Sequence, residues 1–198
     1  KSNPLFKHII IEWLIINCLL KIRFIINPVS GTGKQKGIEK FITKHLENFE
    51  IIHTQKAGDA TRISREAANE NIDAVIAVGG DGTVNECLKG LVNTNTALGV
   101  IPCGSGNGFA YHIGMERTTE KAVIQLKNTR IEVIDSCTAN GVPFVNVSGI
   151  GFDAHIANLF LTLTERGFVN YVKLVLRELS YKAKEYTINY NNIERKVK

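Results

Sequence analysis

Two short glycine-rich stretches carry the residue types and spacing for chemistry on an anion. The first, "AVGGDGTVNE", places Gly79, Gly80 and Gly82 around Asp81 directly after an apolar run. Glycines there let backbone N–H groups face an anion with no Cβ in the way. Thr83 and Asn85 add side-chain donors, and a helix starting near Thr83 would aim its positive end at the same place. Asp81 is the odd member. A carboxylate beside phosphate is repulsive unless it holds a metal ion or takes a proton from an incoming hydroxyl, and both are tasks of phosphoryl transfer. The plainer reading is a tight strand-to-helix turn with an aspartate cap. The second stretch, "PCGSGNGFA", repeats the construction, with Gly104, Gly106 and Gly108 alternating with Ser105 and Asn107.

The familiar nucleotide loops do not fit. "NPVSGTGKQKG" approaches a P-loop, but Pro28 stands where the first glycine belongs and Gln35 replaces the Ser/Thr that would hold magnesium. The dinucleotide fingerprint fails as well, since the second strand ends in His53-Thr54 with no acidic ribose ligand. Both departures argue against a dehydrogenase.

The elements that must position these loops follow from periodicity. "IRFIINP", "FEIIHT", "DAVIAVGG" and "ALGVIP" are short apolar runs ended by turn residues, which predicts four buried strands. Between them Ile38, Phe41, Ile42, His45 and Leu46 repeat at helical spacing, as do Val84, Cys87, Leu88, Leu91 and Val92. Asp59 is expected to N-cap a third helix running to about Asn71. Strands alternating with helices predict a parallel sheet covered on both faces, with ligands at the carboxyl ends of the strands. Those ends are the glycine-rich loops. Beyond Leu126 a hairpin is expected to turn at Asn140-Gly141. A helical stretch from about Ala154 to Lys184, broken near Arg166-Gly167, and a second hairpin at Asn191-Asn192 follow. The expected organisation is an extension over 1–21, a nucleotide-binding α/β domain over 22–130, and the start of a β-rich second domain over 131–198 that continues past Lys198.

Composition sets loose bounds. A net charge of +5 and an apolar content of 44 % describe a globular, mildly basic chain suited to anionic partners. The four cysteines (18, 87, 103 and 137) lack CxxC spacing and read as reduced thiols of a cytosolic protein. Lys7, His8, Glu12 and Asn17 interrupt the apolar N-terminus, leaving it short of the ~18–20 residues of a membrane span.

"FIINPVSGTGK", "AVGGDGTVNECLKGL" and "GVIPCGSGNGFAYHIGM" resemble, in order and spacing, the catalytic domain of diacylglycerol kinase-like lipid kinases, a group that includes bacterial lipid kinases, sphingosine kinases and ceramide kinases. "VNVSGIGFDAHI" is similar to the stretch that opens their second domain. The resemblance implies a Rossmann-like α/β fold of the NAD kinase/diacylglycerol kinase type and an ATP- and Mg²⁺-dependent lipid kinase. It implies that Asn27, Pro28, Val29, Ser30 and Gly31 line the nucleotide, that Thr54 contacts it, and that Gly79, Gly80, Asp81, Gly82, Thr83, Val84 and Asn85 hold phosphates. Glu86 would reach the nucleotide, and Gly104, Ser105, Gly106 and Asn107 form the fourth loop. Asp81 matches the aspartate assigned as base in sphingosine and NAD kinases, while in bacterial relatives a glutamate late in the second domain has that role. The metal ligands stay unassigned. The implied partners are a lipid with a free hydroxyl, the inner face of the membrane as a peripheral contact of a cytoplasmic protein, and a second copy of the chain as a homodimer, with no nucleic acid. NAD kinase, or a nucleotide-binding module without catalysis, are the alternatives.

Overall fold

The computed structural model describes residues 7–8, 20–30, 33, 35–163 and 168–198. In chain order the elements are β1 (Lys7–His8), β2 (Ile22–Ile26), α1 (Ile38–His45), β3 (Phe49–His53), α2 (Asp59–Asn69), β4 (Ala74–Gly79), α3 (Asp81–Leu91) and β5 (Ala97–Pro102). Then come α4 (Gly108–His112), α5 (Thr119–Leu126), β6 (Asp135–Ala139), β7 (Val142–Phe144), α6 (Phe152–Leu161), α7 (Phe168–Arg177), β8 (Tyr186–Tyr190) and β9 (Ile193–Val197). They form two compact units, Lys1–Asn146 and Val147–Lys198.

The first unit is built on the expected parallel sheet, in the order β3-β2-β4-β5. β2 and β4 are buried along their whole length, which is why they are apolar throughout except for the buried Arg23 of β2. α1 packs with α5 and α2 with α3. With right-handed crossovers this puts the first pair on one face of the sheet and the second pair on the other. The core is an aliphatic layer around Phe24, Ile25, Ile42, Val75, Ala77, Leu88 and Ile101. Phe24 also meets Phe49 edge-to-face, with ring centroids 6.0 Å apart. α3 lies close to α2 because Gly90 has no side chain: a Cβ there would stand 2.5 Å from the carbonyl oxygen of Thr61.

Helix starts differ from expectation. Asp59 is the first residue of α2, after Gly58, and its Oδ2 accepts from the N–H of Gln55 (2.8 Å) and of Lys56 (3.0 Å). It therefore caps the turn before the helix rather than the helix itself. α3 begins at Asp81, two residues earlier than expected, with Gly80 as its cap. The expected hairpin turn at Asn140-Gly141 joins β6 to β7, and both turn residues have positive φ (49° and 78°), the geometry that Asn-Gly favours. β1 pairs with the outer edge of that hairpin.

In the second unit α6 and α7 are two short helices, and β8 and β9 form a hairpin through Asn191-Asn192, again with both φ positive. The expected break at Arg166-Gly167 lies outside the described residues. His155 Nε2 sits 3.0 Å from Glu178 Oε2, and its ring lies 4.9 Å from that of Tyr181. Hydrogen bonds from His155 first, and then from Arg177, hold the Glu178 carboxyl below its ordinary range. Asp135 and Asp153 are exposed.

Candidate active site

The sheet order reverses direction at β2: one crossover leaves it toward β3, and the chain later returns on its other side as β4. That point is where an open α/β sheet forms its ligand crevice. Three strand ends are tied there by hydrogen bonds that extend the parallel ladder past the strands. Thr54 N–H donates to Ile26 O (2.9 Å), Asn27 N–H to Val78 O (3.1 Å), and Cys103 N–H to Gly79 O (2.9 Å). The sheet thereby fixes the first residues of three of the four loops, at Asn27, Thr54 and Cys103.

In the first loop, Asn27 works in two directions. Its Oδ1 accepts from Val29 N–H (3.1 Å), closing an Asx turn, and its Nδ2 donates to Thr83 Oγ1 (3.1 Å) in the third loop. Pro28 O accepts from Gln35 Nε2 at 2.6 Å, so Gln35 closes the loop on itself. Val29 is 83 % exposed, whereas Ser30 and Thr54 are buried. Gly31 lies outside the described residues.

The third and fourth loops meet backbone to backbone. A Cβ on Gly104 would stand 2.5 Å from Gly80 Cα, and one on Gly80 would stand 3.1 Å from Gly104 Cα. Gly79 is equally constrained, since a side chain there would strike Thr83. Asp81 then bridges the two loops. Its Oδ2 accepts from Gly108 N–H (3.2 Å) and its Oδ1 from Phe109 N–H (3.1 Å), so its carboxylate caps the first turn of α4 while its backbone opens α3. Gly106 clears the same carboxylate, a Cβ there falling 3.2 Å from Oδ2.

Asn107 locks the fourth loop from inside. It is buried, in the left-handed conformation with φ 58°, which asparagine tolerates. Its Oδ1 accepts from Gly104 N–H and its Nδ2 donates to Gly104 O, both at 2.7 Å. Ser105 and Gly106 are left exposed at the tip.

Two of the sequence-predicted residues are engaged inside the protein. Asn85 Nδ2 donates to Asp81 O, and its Oδ1 accepts from Val145 N–H, both at 3.1 Å, which ties α3 to the end of β7. Glu86 Oε2 accepts from Gly58 N–H (3.0 Å) at the head of α2. Val84 is a core side chain and brings only its backbone to the site. The groups facing outward are the first amides of α3 around Gly82, a residue with nothing within 4 Å of its absent Cβ, and the exposed tip at Ser105 and Gly106. The first N–H groups of a helix have no partner within it, so they suit an anion.

The amide of Phe109 and the Tyr111 hydroxyl beside Asn107 (3.3 Å) are parts of this site that the sequence did not single out, and the sequence named Gly108 and Gln35 without their roles as a donor to Asp81 and as the closure of the first loop. A glutamine after GxGK was the only available signal; the others depend on contacts between distant segments. Among the described residues no group of three or more His, Cys, Asp or Glu side chains could hold a metal ion. No helix among them is long and apolar enough to cross a membrane.

Comparison with known proteins agrees with this fold. A "Diacylglycerol kinase" of Bacillus subtilis is 39 % identical over 139 residues, covering 65 % of this chain and 45 % of its own length. A protein of Chromohalobacter salexigens named "Probable lipid kinase YegS-like" is 39 % identical over 109 residues, 53 % of this chain and 35 % of its own. The crystal structure of a diacylglycerol kinase from Bacillus anthracis superposes with a TM-score of 0.55 at 32 % identity, over 64 % of this chain and 48 % of that one. The chain thus spans about half or less of the relatives it matches. Residues 21–139, more than half of the 198, match the diacylglycerol kinase catalytic domain, and the chain belongs to that family.

Proposed function

We propose that this chain carries the nucleotide-binding part of a lipid kinase, which transfers the γ-phosphoryl group of ATP to the hydroxyl of a diacylglycerol- or sphingosine-like lipid. The observation that carries the reading is the junction of the two glycine loops at Gly80 and Gly104, with Asp81 across it. That junction lies next to the first amides of α3, which have no partner within the helix and so suit phosphate.

The donor set fits a nucleotide triphosphate. The amides at the head of α3 and the Ser105 hydroxyl donate to phosphate oxygens. Asn27, Ser30 and Thr54 sit along the neighbouring strand ends, where the rest of the nucleotide would lie. Magnesium, when bound, would neutralise phosphate charge, and Asp81, the carboxylate at the junction of the two loops, would help to hold it. In the transfer the lipid hydroxyl oxygen bonds to the γ-phosphorus, the bond to the β–γ bridging oxygen breaks, and ADP leaves. The hydroxyl proton goes to Asp81. Both oxygens of Asp81 already accept an amide, which fixes their position and leaves lone pairs for a proton or a metal ion. Catalysis is then chiefly positioning and electrostatics.

The family match and the basic charge support a cytoplasmic enzyme that meets its substrate at a membrane surface. The test is transfer from labelled ATP to a panel of diacylglycerol, sphingoid base and NAD. Label in a lipid, lost in Asp81→Asn, is the expected result. Label in NAD alone would replace the reading with NAD kinase, and ATP binding without transfer would leave a binding module.

A further inference from the structure

In the second unit, α7 buries one face and leaves an apolar one uncovered. Leu174 is 3 % exposed, whereas Val169 (65 %), Val172 (38 %) and Leu176 (61 %) lie on the opposite side. At 100° per residue these three fall within an arc of about 60°. Leu179, in the turn after the helix and 70 % exposed, extends the line. Lys173 flanks the stripe on the helix, and Lys182 and Lys184 follow in the chain.

We propose that this face of α7 docks on the surface of an anionic lipid bilayer. Charge is the first argument for that occupant. Phe168 to Lys184 contains four basic residues (Lys173, Arg177, Lys182, Lys184) and one acid, Glu178, for a net of 4 − 1 = +3. Glu178 pairs with Arg177 (3.1 Å) and lies 3.0 Å from His155 Nε2, so the three lysines account for the net +3. The second argument is the chemistry of the stripe. It is valine and leucine, without the Trp, Tyr and Arg anchors that concentrate binding energy in protein interfaces. An apolar line beside lysines is the pattern of a helix lying in a bilayer interface. The third is continuity: Leu179 also lines a cleft of about 400 Å³ with Ile150, Phe152, Tyr181, Lys184 and Tyr186, so the apolar surface runs on past the helix.

The inference does not need the kinase reading, and its test uses neither ATP nor an acceptor lipid. The protein is sedimented with phosphatidylglycerol vesicles and, separately, with phosphatidylcholine vesicles at about 0.1 M salt. Binding to the first and little to the second is expected. Lys173→Gln with Lys182→Gln should weaken it about 25-fold, taking about fivefold per basic residue near an anionic surface. Leu176→Glu and, separately, Leu179→Glu should reduce it to background while leaving the thermal melt in place, because both side chains are exposed. Wild-type protein that ignores anionic vesicles, or glutamate variants that bind like wild type, would overturn the proposal. So would a dimer, seen by light scattering, that Leu176→Glu dissociates while vesicle binding is unchanged.

Discussion

Gly80 and Gly104 touch through their backbones: a Cβ on Gly104 would stand 2.5 Å from Gly80 Cα, closer than any side chain allows, and one on Gly80 would stand 3.1 Å from Gly104 Cα, a tight fit. They lie just past the ends of two neighbouring strands, β4 and β5, and each loop then turns into a helix. The contact fixes the distance between the head of α3 and the Asn107 loop, so it sets the width of the proposed phosphate cradle.

Gly104→Ala should therefore damage fold and binding together. Its methyl group would stand 2.5 Å from Gly80 Cα, against backbone that has no rotamer to yield. Overpacking of this kind costs about 1–3 kcal/mol. Gly82→Ala separates the two effects. Nothing lies within 4 Å of its Cβ position, inside a helix where alanine is favoured by up to about 1 kcal/mol. Urea unfolding should show Gly82→Ala as stable as wild type or more so, while calorimetry shows ATP binding weakened tenfold or more, by about 1.4 kcal/mol. Unchanged ATP affinity in Gly82→Ala would move the phosphates away from the head of α3.

Asn107→Asp tests the lock inside the fourth loop with the smallest change of shape. The new oxygen would replace the Nδ2 donor that faces Gly104 O at 2.7 Å, setting acceptor against acceptor in a buried place. A loss of about 2–3 kcal/mol is expected. It should shrink as pH falls and the carboxyl regains a proton to donate. A pH-independent loss, followed by chemical denaturation between about pH 4 and 7, would count against this hydrogen-bond pair.

The native protein should also lose stability in acid through Asp59. The Gln55 amide, and after it the Lys56 amide, hold this carboxyl below its ordinary range. A depressed folded-state pKa contributes stability above the unfolded value of about 3.9, and the contribution disappears as pH falls through the lower folded value. Asp59→Asn removes it at neutral pH. The stability gap between wild type and Asp59→Asn should therefore close as the pH drops below about 3.9; a gap that widens in acid would contradict the capped turn.

These features divide sharply in how far the sequence reveals them. The apolar runs from Ile22 (interrupted by Arg23), Ala74 and Ala97 report strands buried in the sheet, and that is a local signal. So are the Asn140-Gly141 and Asn191-Asn192 turns, where two successive positive φ angles are needed. The placement of Asp59 and the start of α3 at Asp81 were off by one or two residues, because a carboxylate can cap the turn before a helix as readily as the helix. α4 and α5 passed unnoticed: α4 is a single turn, and the buried set Ala122, Val123 and Leu126 is too short a repeat to stand out. Asn85 illustrates the deeper limit. Its polarity beside a glycine loop suggests a ligand donor, yet Val145, sixty positions away, takes its Oδ1. No spacing rule within the motif encodes that contact.

Arg23 makes the same point away from the site. It sits in the apolar run of β2, 4 % exposed, where a sequence reading sees a misplaced charge. The structure supplies Glu50 Oε1 for its Nε at 2.6 Å, Glu70 Oε2 for Nη2, and the carbonyl of Ile63 for Nη1 at 3.3 Å. One guanidinium thus fastens β2 to β3, to the middle of α2 and to Glu70, the residue that follows α2. Removing one member of a fully buried pair costs about 3–5 kcal/mol. Glu50 and Glu70 are 43 % and 58 % exposed and can turn to water, so Arg23→Ala should lose less, about 2–3 kcal/mol. Arg23→Met keeps the apolar stem and should recover part of that loss; Arg23→Lys should recover little, because a single ammonium cannot serve three acceptors in a fork. Urea midpoints measure the series. A lysine variant as stable as wild type would mean that charge alone matters here, and that the three-way hydrogen bonding contributes nothing to holding β2, β3 and α2 together.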